Sequence, residues 1–155
     1  MSALMFLFGS LFAFPLPASA TTAKNCPWLN QGSAEAALGG SVSATVQVSE
    51  SGEGSCTFSR EQGTPKETLK IVVLKKPLPS CPAGSPGVKG IGNEAVECTV
   101  RQSSQESTQM IVSRVRGIYF TVSITPAEQQ PASAESSHSD SAIERVAQLV
   151  SGNLF

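Results

Sequence analysis

Four cysteines are the residues of this chain whose chemistry is easiest to read, and they stand at Cys26, Cys56, Cys81 and Cys98. None belongs to a Cys-x-x-Cys pair, so the sequence indicates neither a zinc site nor a thioredoxin-like redox motif. An even number of cysteines predicts two disulfides if the chain is exported. Three pairings are open. We favour Cys26–Cys56 with Cys81–Cys98, because each bridge links neighbouring segments across a turn-rich stretch.

The residues for acid–base or nucleophilic catalysis are few. His138 is the only histidine and Asp140 the only aspartate. We expect His138 in a mobile polar linker that leads into a helix at Asp140, where no buried carboxylate would hold the imidazole as a Ser-His-Asp triad requires. Glu94 and Glu97 are three residues apart, which on a strand places them on opposite faces. The sequence therefore predicts no catalytic residue and a protein that is not an enzyme.

A glycine motif, Gly87-x-x-Gly90-x-Gly92, has the spacing of a phosphate-binding loop. It follows a proline-rich loop and opens a strand instead of a helix, so we interpret it as a turn. A calcium loop of the D-x-[DN]-x-[DN]-G type is absent from the sequence. We predict no cofactor and no metal.

Four basic side chains are the candidate partner-binding residues. Arg114 and Arg116 flank the tip of a predicted hairpin and, with Lys75 and Lys76, would form a patch for an acidic ligand or partner. The alternative is that these are edge-strand charges that discourage aggregation. That is the commoner role of surface charge.

The N-terminal segment indicates the compartment. Residues 1–20 carry no charge, contain the apolar run 4–14, and end in Ala18-Ser19-Ala20, the small-residue pattern at which signal peptidases cleave. The run is shorter than the roughly 20 apolar residues that span a bilayer. No Lys or Arg precedes Ala20, which leaves open a start upstream of Met1. We expect a secreted or periplasmic protein with no membrane span in its mature chain.

The charge of the remaining chain is balanced. All 11 basic and 12 acidic residues lie after residue 20, and the formal net charge is −1. This balance gives no reason to expect nucleic acid, an anionic membrane or a polyanionic substrate as partner. The length suits one domain with one core.

Local patterns predict the elements that must position these residues. A short helix over 34–38, capped by Ser33 and ended by Gly39-Gly40, opens the domain. Strands follow over 42–48, from Cys56, over 69–74 and around 96–100. In the strand around 96–100, the alternation of apolar and polar residues places the Cys98 sulfur on the buried face. The four prolines between residues 77 and 87 exclude regular structure there.

The clearest prediction is a hairpin before residue 126. If Arg116-Gly117 forms a two-residue turn, Val115 pairs with Ile118 and Ile111 pairs with Val122. Both pairs then fall on the apolar face, so the register and the turn agree.

The C-terminal region completes the fold prediction. Residues 126–139 read as a flexible polar linker, and Ser141-x-x-Glu144 is a capping box that begins a helix over 140–155. We predict an α+β fold of two layers, in which an antiparallel sheet of about five or six strands carries a short N-terminal helix and the C-terminal helix on one face. The main domain would span residues 21–125.

Several short motifs resemble a bacterial family of secreted lipoproteins, domain of unknown function 3558. They are Cys26-Pro-Trp-Leu, Ala34-Glu-Ala-Ala-Leu-Gly-Gly, Ser55-Cys-Thr-Phe, Gly90-Ile-Gly-Asn-Glu-Ala and Val115-Arg-Gly-Ile-Tyr-Phe-Thr-Val. The chain departs from the family by lacking its lipid-bearing cysteine and by adding Cys81 and Cys98. The resemblance covers most of residues 26–125 and implies a cell-envelope α+β domain, with no activity to carry over.

The function that these observations favour is an exported, non-enzymatic binding or cell-envelope accessory domain for an unknown protein or small-molecule ligand. The alternative is a secreted inhibitor of a hydrolase, in the manner of cystatin-like helix-on-sheet domains, that presents loop 49–55 or 77–90 to a target cleft. The Gln-x-Val-x-Gly motif of such inhibitors is absent from the sequence. A third class, an enzyme of unrecognised chemistry, has no supporting constellation of residues.

Overall fold

The computed structural model describes residues 25–63, 66–79, 81–101, 107–126 and 136–154, and for residues 136–141 it describes the backbone alone. The predicted signal peptide and most of the predicted linker lie outside these residues.

Six antiparallel strands and two helices make up the described chain. The elements in chain order are α1 (Gln31–Leu38), β1 (Val42–Val48), β2 (Gly54–Arg60), β3 (Thr68–Leu74), β4 (Glu94–Arg101), β5 (Ser107–Val115), β6 (Ile118–Thr125) and α2 (Ser136–Asn153). The prediction of an α+β fold with an antiparallel sheet and a C-terminal helix packed on it is confirmed.

The strand order in the sheet is β1-β2-β3-β6-β5-β4. The chain therefore leaves β3 in the middle of the sheet, passes β6 and β5 in the connection 75–93, and returns as the edge strand β4. All other pairs of consecutive strands, from β1–β2 to β5–β6, are antiparallel neighbours in the sheet. The two edges of the sheet are β1 and β4.

The hairpin of β5 and β6 has the predicted register. Val115 pairs with Ile118 and Ile111 pairs with Val122. Arg116 and Gly117 form the turn with φ angles of 48° and 83°, the two positive values that a tight hairpin turn requires. The prediction from the turn and the alternation is confirmed.

One face of the sheet is buried under the helices. α1 lies over β1, β2 and β3, and α2 lies over β5 and β6. The largest fully buried side chains include Phe58 and Phe120 from the sheet and Ile143 from α2. Trp28 and Leu29, which precede α1, are also buried in this core, and Asn153 in α2 donates its side-chain amide to the Trp28 carbonyl at 2.9 Å.

The N-cap of α1 differs from the prediction. Asn30 occupies that position, and its Oδ1 accepts the amide of Ser33 at 2.8 Å. Ser33, the predicted cap, therefore lies inside the first turn. The physical reason is that Asn is as good an N-cap as Ser, and starting at Gln31 adds nearly one further turn of helix. Gly39 ends the helix in the left-handed conformation, as predicted.

α2 begins earlier than the sequence predicts. The helix starts at Ser136, so its backbone includes positions that the sequence analysis gives to a linker ending at residue 139. Ser141 lies inside the helix and does not cap it. The helix start predicted from the capping box is therefore wrong. A polar segment can also form helix when the apolar turns that follow it pack on a sheet.

The cysteines form the favoured pairs, Cys26–Cys56 and Cys81–Cys98. The predicted placement of Cys98 on the helix-covered face is wrong. β4 pairs Ala95 with Ser113 and Glu97 with Ile111, so the odd-numbered residues of β4 share the face of the core. Cys98 points to the opposite face. There the alternating apolar residues of β4 face the crossover segment, which carries the disulfide partner Cys81.

Gly92 ties three parts of the fold together. Its amide donates to Ser151 Oγ of α2 at 3.1 Å, and it packs directly on β5. A Cβ built at this position would stand 2.6 Å from the Arg114 carbonyl oxygen and 2.8 Å from the Ser113 Oγ and Val115 Cγ2 atoms. With φ at +60° as well, only glycine fits.

Asn93 and Ile91 extend this contact on either side of Gly92. Asn93 donates its amide to the Arg114 carbonyl at 2.8 Å, and its Oδ1 accepts the amide of Arg116 at the hairpin tip at 3.0 Å. Ile91 is buried and its carbonyl accepts the Ser113 hydroxyl at 3.2 Å. We call residues 91–93 the clasp, because they join the crossover, the β5–β6 hairpin and α2.

Gly92→Ala is expected to destabilise the protein by about 2–4 kcal/mol, since the added Cβ meets backbone and the φ angle is strained. Urea unfolding measures the change. Gly87→Ala is the matched control: the nearest atom to its Cβ would be the Ala95 carbonyl oxygen at 3.8 Å, and a change below about 1 kcal/mol is expected there. Equal effects at both positions would contradict the role of Gly92.

The two disulfides are expected to differ in their contribution to stability. Cys26–Cys56 closes a loop with a sequence separation of 30 and Cys81–Cys98 one of 17; chain entropy gives about 3.7 and about 3.1 kcal/mol. Because Cys56 is also fully buried, replacing Cys26 and Cys56 by Ala should lower the urea midpoint more than replacing Cys81 and Cys98. The reverse order would show that the core does not depend on the first bridge.

Candidate binding surface

The predicted basic residues meet at one end of the sheet. Leu74 pairs with Tyr119, and Tyr119 pairs with Arg114, so the ends of β3, β6 and β5 are neighbours there. Lys75 and Lys76 follow Leu74 directly, and Arg116 forms the hairpin tip. The fold thus brings Lys75, Lys76, Arg114 and Arg116 to the same end, as a patch would require.

Acidic side chains share this end. Arg114 Nη2 lies 2.7 Å from Glu94 Oε1, and the two side chains are 40% and 72% exposed. An ion pair so exposed contributes little to stability, about 0–1 kcal/mol. It does neutralise one of the four cations, so the end of the sheet is a mixed-charge rim and not a purely basic site.

Glu53 supplies the second acid from the β1–β2 turn. Its Oε1 accepts the amide of Lys75 at 2.8 Å, and its Oε2 accepts the Ser51 hydroxyl at 3.1 Å. These two hydrogen bonds, with the charges of Lys75 and Lys76, lower the pKa of Glu53 below its ordinary value. Ser49 closes the turn by donating its amide to the Glu53 carbonyl at 2.8 Å.

A second charged cluster lies at the opposite end of the sheet and has a structural role. Arg60 Nη1 donates to the Leu38 carbonyl at the end of α1 and lies 3.3 Å from Glu67 Oε2, while its Nε donates to the Gln62 carbonyl at 2.9 Å. Burial raises the pKa of Glu67, against the opposing effect of the Arg60 charge. The guanidinium fastens α1 to the β2–β3 turn.

The residues considered for catalysis do not converge in the described part of the chain. Glu94 lies on the face away from the helices and Glu97 on the core side of β4, as their odd separation predicts. His138 belongs to the first turns of α2 and not to the predicted linker, Asp140 lies in the same helix, and both side chains lie outside the described residues. Among the side chains that the structure describes, no group of three His, Cys, Asp or Glu could hold a metal ion.

The sheet face away from the helices has no helical layer, and the crossover segment lies against it at β4 through the Cys81–Cys98 disulfide. We call it the open face and define it by the outward residues of β2, β3, β6 and β5. They are Ser55, Thr57, Ser59, Thr68, Lys70, Val72, Leu74, Tyr119, Thr121, Ser123, Thr125, Thr108, Met110, Val112 and Arg114. Most are small hydroxyl residues, and only Lys70 and Arg114 carry charge.

Apolar side chains interrupt the hydroxyl residues toward β5. Val72 pairs with Thr121, and Thr121 with Val112, so a partly apolar row crosses the middle of the open face. Thr121 is only 8% exposed and Thr108 only 5%, although no helix covers them. Thr108 and Thr125 share a hydroxyl hydrogen bond of 2.9 Å across the strands, which lowers the cost of removing them from water.

Sequence reasoning missed this row. The alternation of β6 separates a Ser/Thr face from an apolar face. Val72 of β3 and Val112 of β5 nevertheless lie on the Ser/Thr face, because both pair with Thr121. The signal for this row is the continuous apolar run over residues 71–74 in β3, which places apolar side chains on both faces of that strand.

Two cavities among the described residues lack the form of a small-molecule site. One, of about 90 Å³, lies between α1 and α2 beside Leu149. The other, of about 590 Å³, is a broad dish formed by residues 87–96 and is wide open to solvent. Ligand pockets are enclosed and lined with convergent polar groups, and neither cavity has this form. In the described chain, no helix is long and apolar enough to cross a membrane.

Glu53→Gln is expected to flatten the acid limb of the stability curve. The pKa of Glu53 is lower in the folded protein, so its contribution is full above the carboxyl's unfolded pKa and is lost as pH falls through the folded pKa. Urea midpoints measured from neutral pH down to pH 3 check this. Glu50→Gln, at an exposed position of the same turn, is the control, and an unchanged acid limb in Glu53→Gln would contradict the assignment.

Comparison with known proteins gives no relative to reason from. No protein-family model, curated protein or solved structure matches this chain. The open face and its charged rim therefore carry the functional argument alone.

Proposed function

We propose that this chain is an exported, non-enzymatic binding domain that recognises its partner through the open face. The observation that carries this proposal is the lack of charge on a sheet face that no helix covers. The solvated side of an antiparallel sheet is ordinarily polar and charged, whereas Lys70 is the only charge within the central strands of this one. Depletion of charged residues is the compositional signature of the centre of a protein–protein interface.

The layout of the face fits such a contact. Val72, Val112 and Met110 provide an apolar centre, and the ion pair of Arg114 with Glu94 stands at its border. Interfaces have this arrangement of an apolar core inside a polar rim. The candidate residues Lys75, Lys76 and Arg116 belong to the same rim, where charges guide encounter and orientation more than they add affinity.

The size of the face sets the kind of partner. Four strands spaced about 4.8 Å apart and about seven residues long make a surface of about 14 Å by about 20 Å. This is roughly 300 Å², below the about 800 Å² per partner of a standard stable complex. A partner confined to the face would bind transiently, so we expect a tight partner to reach the charged rim as well.

Export is the second part of the proposal. The two disulfides suggest an oxidising compartment, and residues 1–20 have the pattern of a signal peptide. Secretion or a periplasmic location follows as the expected destination. The resemblance of residues 26–125 to domain of unknown function 3558 remains a prediction that agrees with a cell-envelope role.

The inhibitor alternative has one supporting observation. The β1–β2 turn is held in a single conformation by hydrogen bonds among Ser49, Ser51 and Glu53 and by the Lys75 amide. Loops that bind protease-like clefts gain affinity from such preorganisation. In that case the turn at residues 49–53, and not the open face, would contact a hydrolase.

Charge substitutions test which surface binds. Ser55→Glu and Ser123→Glu place a carboxylate on the open face, while Gln148→Glu places one on the exposed side of α2. The amount of each host protein that the wild type captures is expected to fall at least about tenfold with the open-face variants. The reason is that a carboxylate buried unpaired in an interface costs more than about 1.4 kcal/mol of binding free energy. The control should retain them.

Two results would decide against the proposal. Equal capture by all three variants would remove the open face as the binding surface. Capture of a hydrolase that is lost in Glu50→Arg and kept in Ser123→Glu would favour the inhibitor. Melting temperatures of all variants show whether they remain folded.

A further inference from the structure

The hydrogen bonds at the two ends of β1 fix which of its backbone groups face outward. Ser49 donates its amide to the Glu53 carbonyl at 2.8 Å, and Glu61 donates to the Ser41 carbonyl at 2.9 Å. In an antiparallel pair, residues bonded to the neighbouring strand alternate with residues whose amide and carbonyl point away from it. The odd-numbered residues of β1 therefore bond to β2, and Val42, Ala44, Val46 and Val48 direct their backbone groups to the free edge.

This edge lacks the features that protect most edge strands. β1 reads Val-Ser-Ala-Thr-Val-Gln-Val, with no charge and no proline, and its register with β2 runs without a bulge from Val42 to Val48. Natural edge strands are usually guarded by charges, prolines, bulges or a covering segment, because a bare edge is a template for another strand.

The opposite edge of the same sheet is guarded. β4 carries Glu94, Glu97 and Arg101. The crossover also pairs with it: Glu97 donates its amide to the Pro86 carbonyl at 3.0 Å, and Val88 donates to the Ala95 carbonyl at 2.9 Å. The β4 edge is thus protected both by charge and by the crossover, whereas the β1 edge is uncovered among the residues described.

We propose that β1 pairs antiparallel with β1 of a second copy of this chain, about a twofold axis at Thr45. Hydrogen-bonded pairs across this axis must join the outward-facing, even-numbered residues. Pairing Ala44 with Val46 of the second copy, and Val42 with Val48, uses all four of them. Thr45 then faces its own equivalent in a non-hydrogen-bonded pair, where the Cα atoms stand about 4.5 Å apart.

The side chains of β1 match themselves in this register. On the core side, Val42 meets Val48 and Ala44 meets Val46, so apolar residues face apolar residues. On the other side, Thr45 meets Thr45 and Ser43 meets Gln47, which are hydrogen-bonding pairs of the kind that stabilise antiparallel strands. Ala44 is exposed in the single chain although it belongs to the core side, and the second copy would cover it.

The charges beside the strand also permit a second copy. Glu50, the first charged residue after β1, falls opposite Gly40 of the second copy in this register, so like charges do not meet. Among the described residues, the Gln31 side chain donates to the Val42 carbonyl at 3.4 Å at this edge and must turn aside for the second copy. An extended peptide of unrelated sequence would share the backbone bonds but not the match on both faces.

The consequence for the molecule is one continuous sheet of twelve strands, twice the six of a single chain. The helices of both copies would lie on one side of it and both open faces on the other. A twofold contact of this kind is closed, since each β1 edge is used up by the other. The pairing therefore limits assembly to a dimer instead of a fibre.

A charge exchange at Thr45 tests the proposal on the exported protein with its disulfides formed. Thr45 is exposed, so Thr45→Lys and Thr45→Glu should leave the single chain folded. Sedimentation velocity over a concentration series is expected to show a reversible dimer for the wild type and monomers for each variant alone, because like charges then face each other across the axis. An equal mixture of the two variants should again sediment as a dimer.

A proline at Ala44 provides a second reading of the same contact. The Ala44 amide points to the free edge, so Ala44→Pro removes an intermolecular donor and no bond of the β1–β2 ladder. The dimer dissociation constant is expected to rise at least about tenfold, with the melting temperature at low concentration little changed.

Three outcomes would overturn the proposal: a wild-type chain that stays monomeric, variants that dimerise like the wild type, or a mixture of Lys and Glu variants that stays monomeric. The readout is self-association in buffer alone. Failure of the dimer therefore leaves the open-face proposal standing, and failure of partner capture says nothing against the dimer.

Discussion

Two helices cover only one face of a six-stranded sheet, and this constraint governs the rest of the molecule. The burial of apolar side chains is the main favourable term in folding, and here it is met chiefly between α1, α2 and one sheet face. No helix covers the other face or the β1 edge, and the crossover protects only the side at β4 among the residues described. The surfaces to which we assign function are those that the helical layer does not reach.

The clasp fixes the position of α2 relative to the sheet. The Gly92 amide bonds to Ser151 of α2, while Asn93 bonds to Arg114 of β5 and to Arg116 in the β5–β6 turn. The segment that resembles a phosphate loop thus uses Gly92 for close packing against β5. This placement also explains why the crossover can end beside β4 and guard that edge, while β1 has no comparable cover.

The functional argument rests on contrasts within one sheet. The face toward the helices is apolar and sealed; the open face is flat, hydroxyl-rich and nearly uncharged, with its charges gathered at the rim. One edge is charged and paired with the crossover, and the other is neutral and bare. Water would ordinarily favour charge at such positions, so the absence of charge is the feature that a partner or a second copy accounts for.

The sequence alone determined the elements whose signals are local: the strand alternation, the Arg116-Gly117 turn with its register, and the glycine end of α1. These follow from backbone geometry and side-chain period within a few residues. For the cysteines the sequence left three pairings open and favoured the one that the structure shows. The tertiary structure decided the rest. Strand order, the face taken by Cys98, the early start of α2 and the bare edge at β1 depend on which segments meet after the chain crosses two strands, and a local pattern carries no information on that meeting.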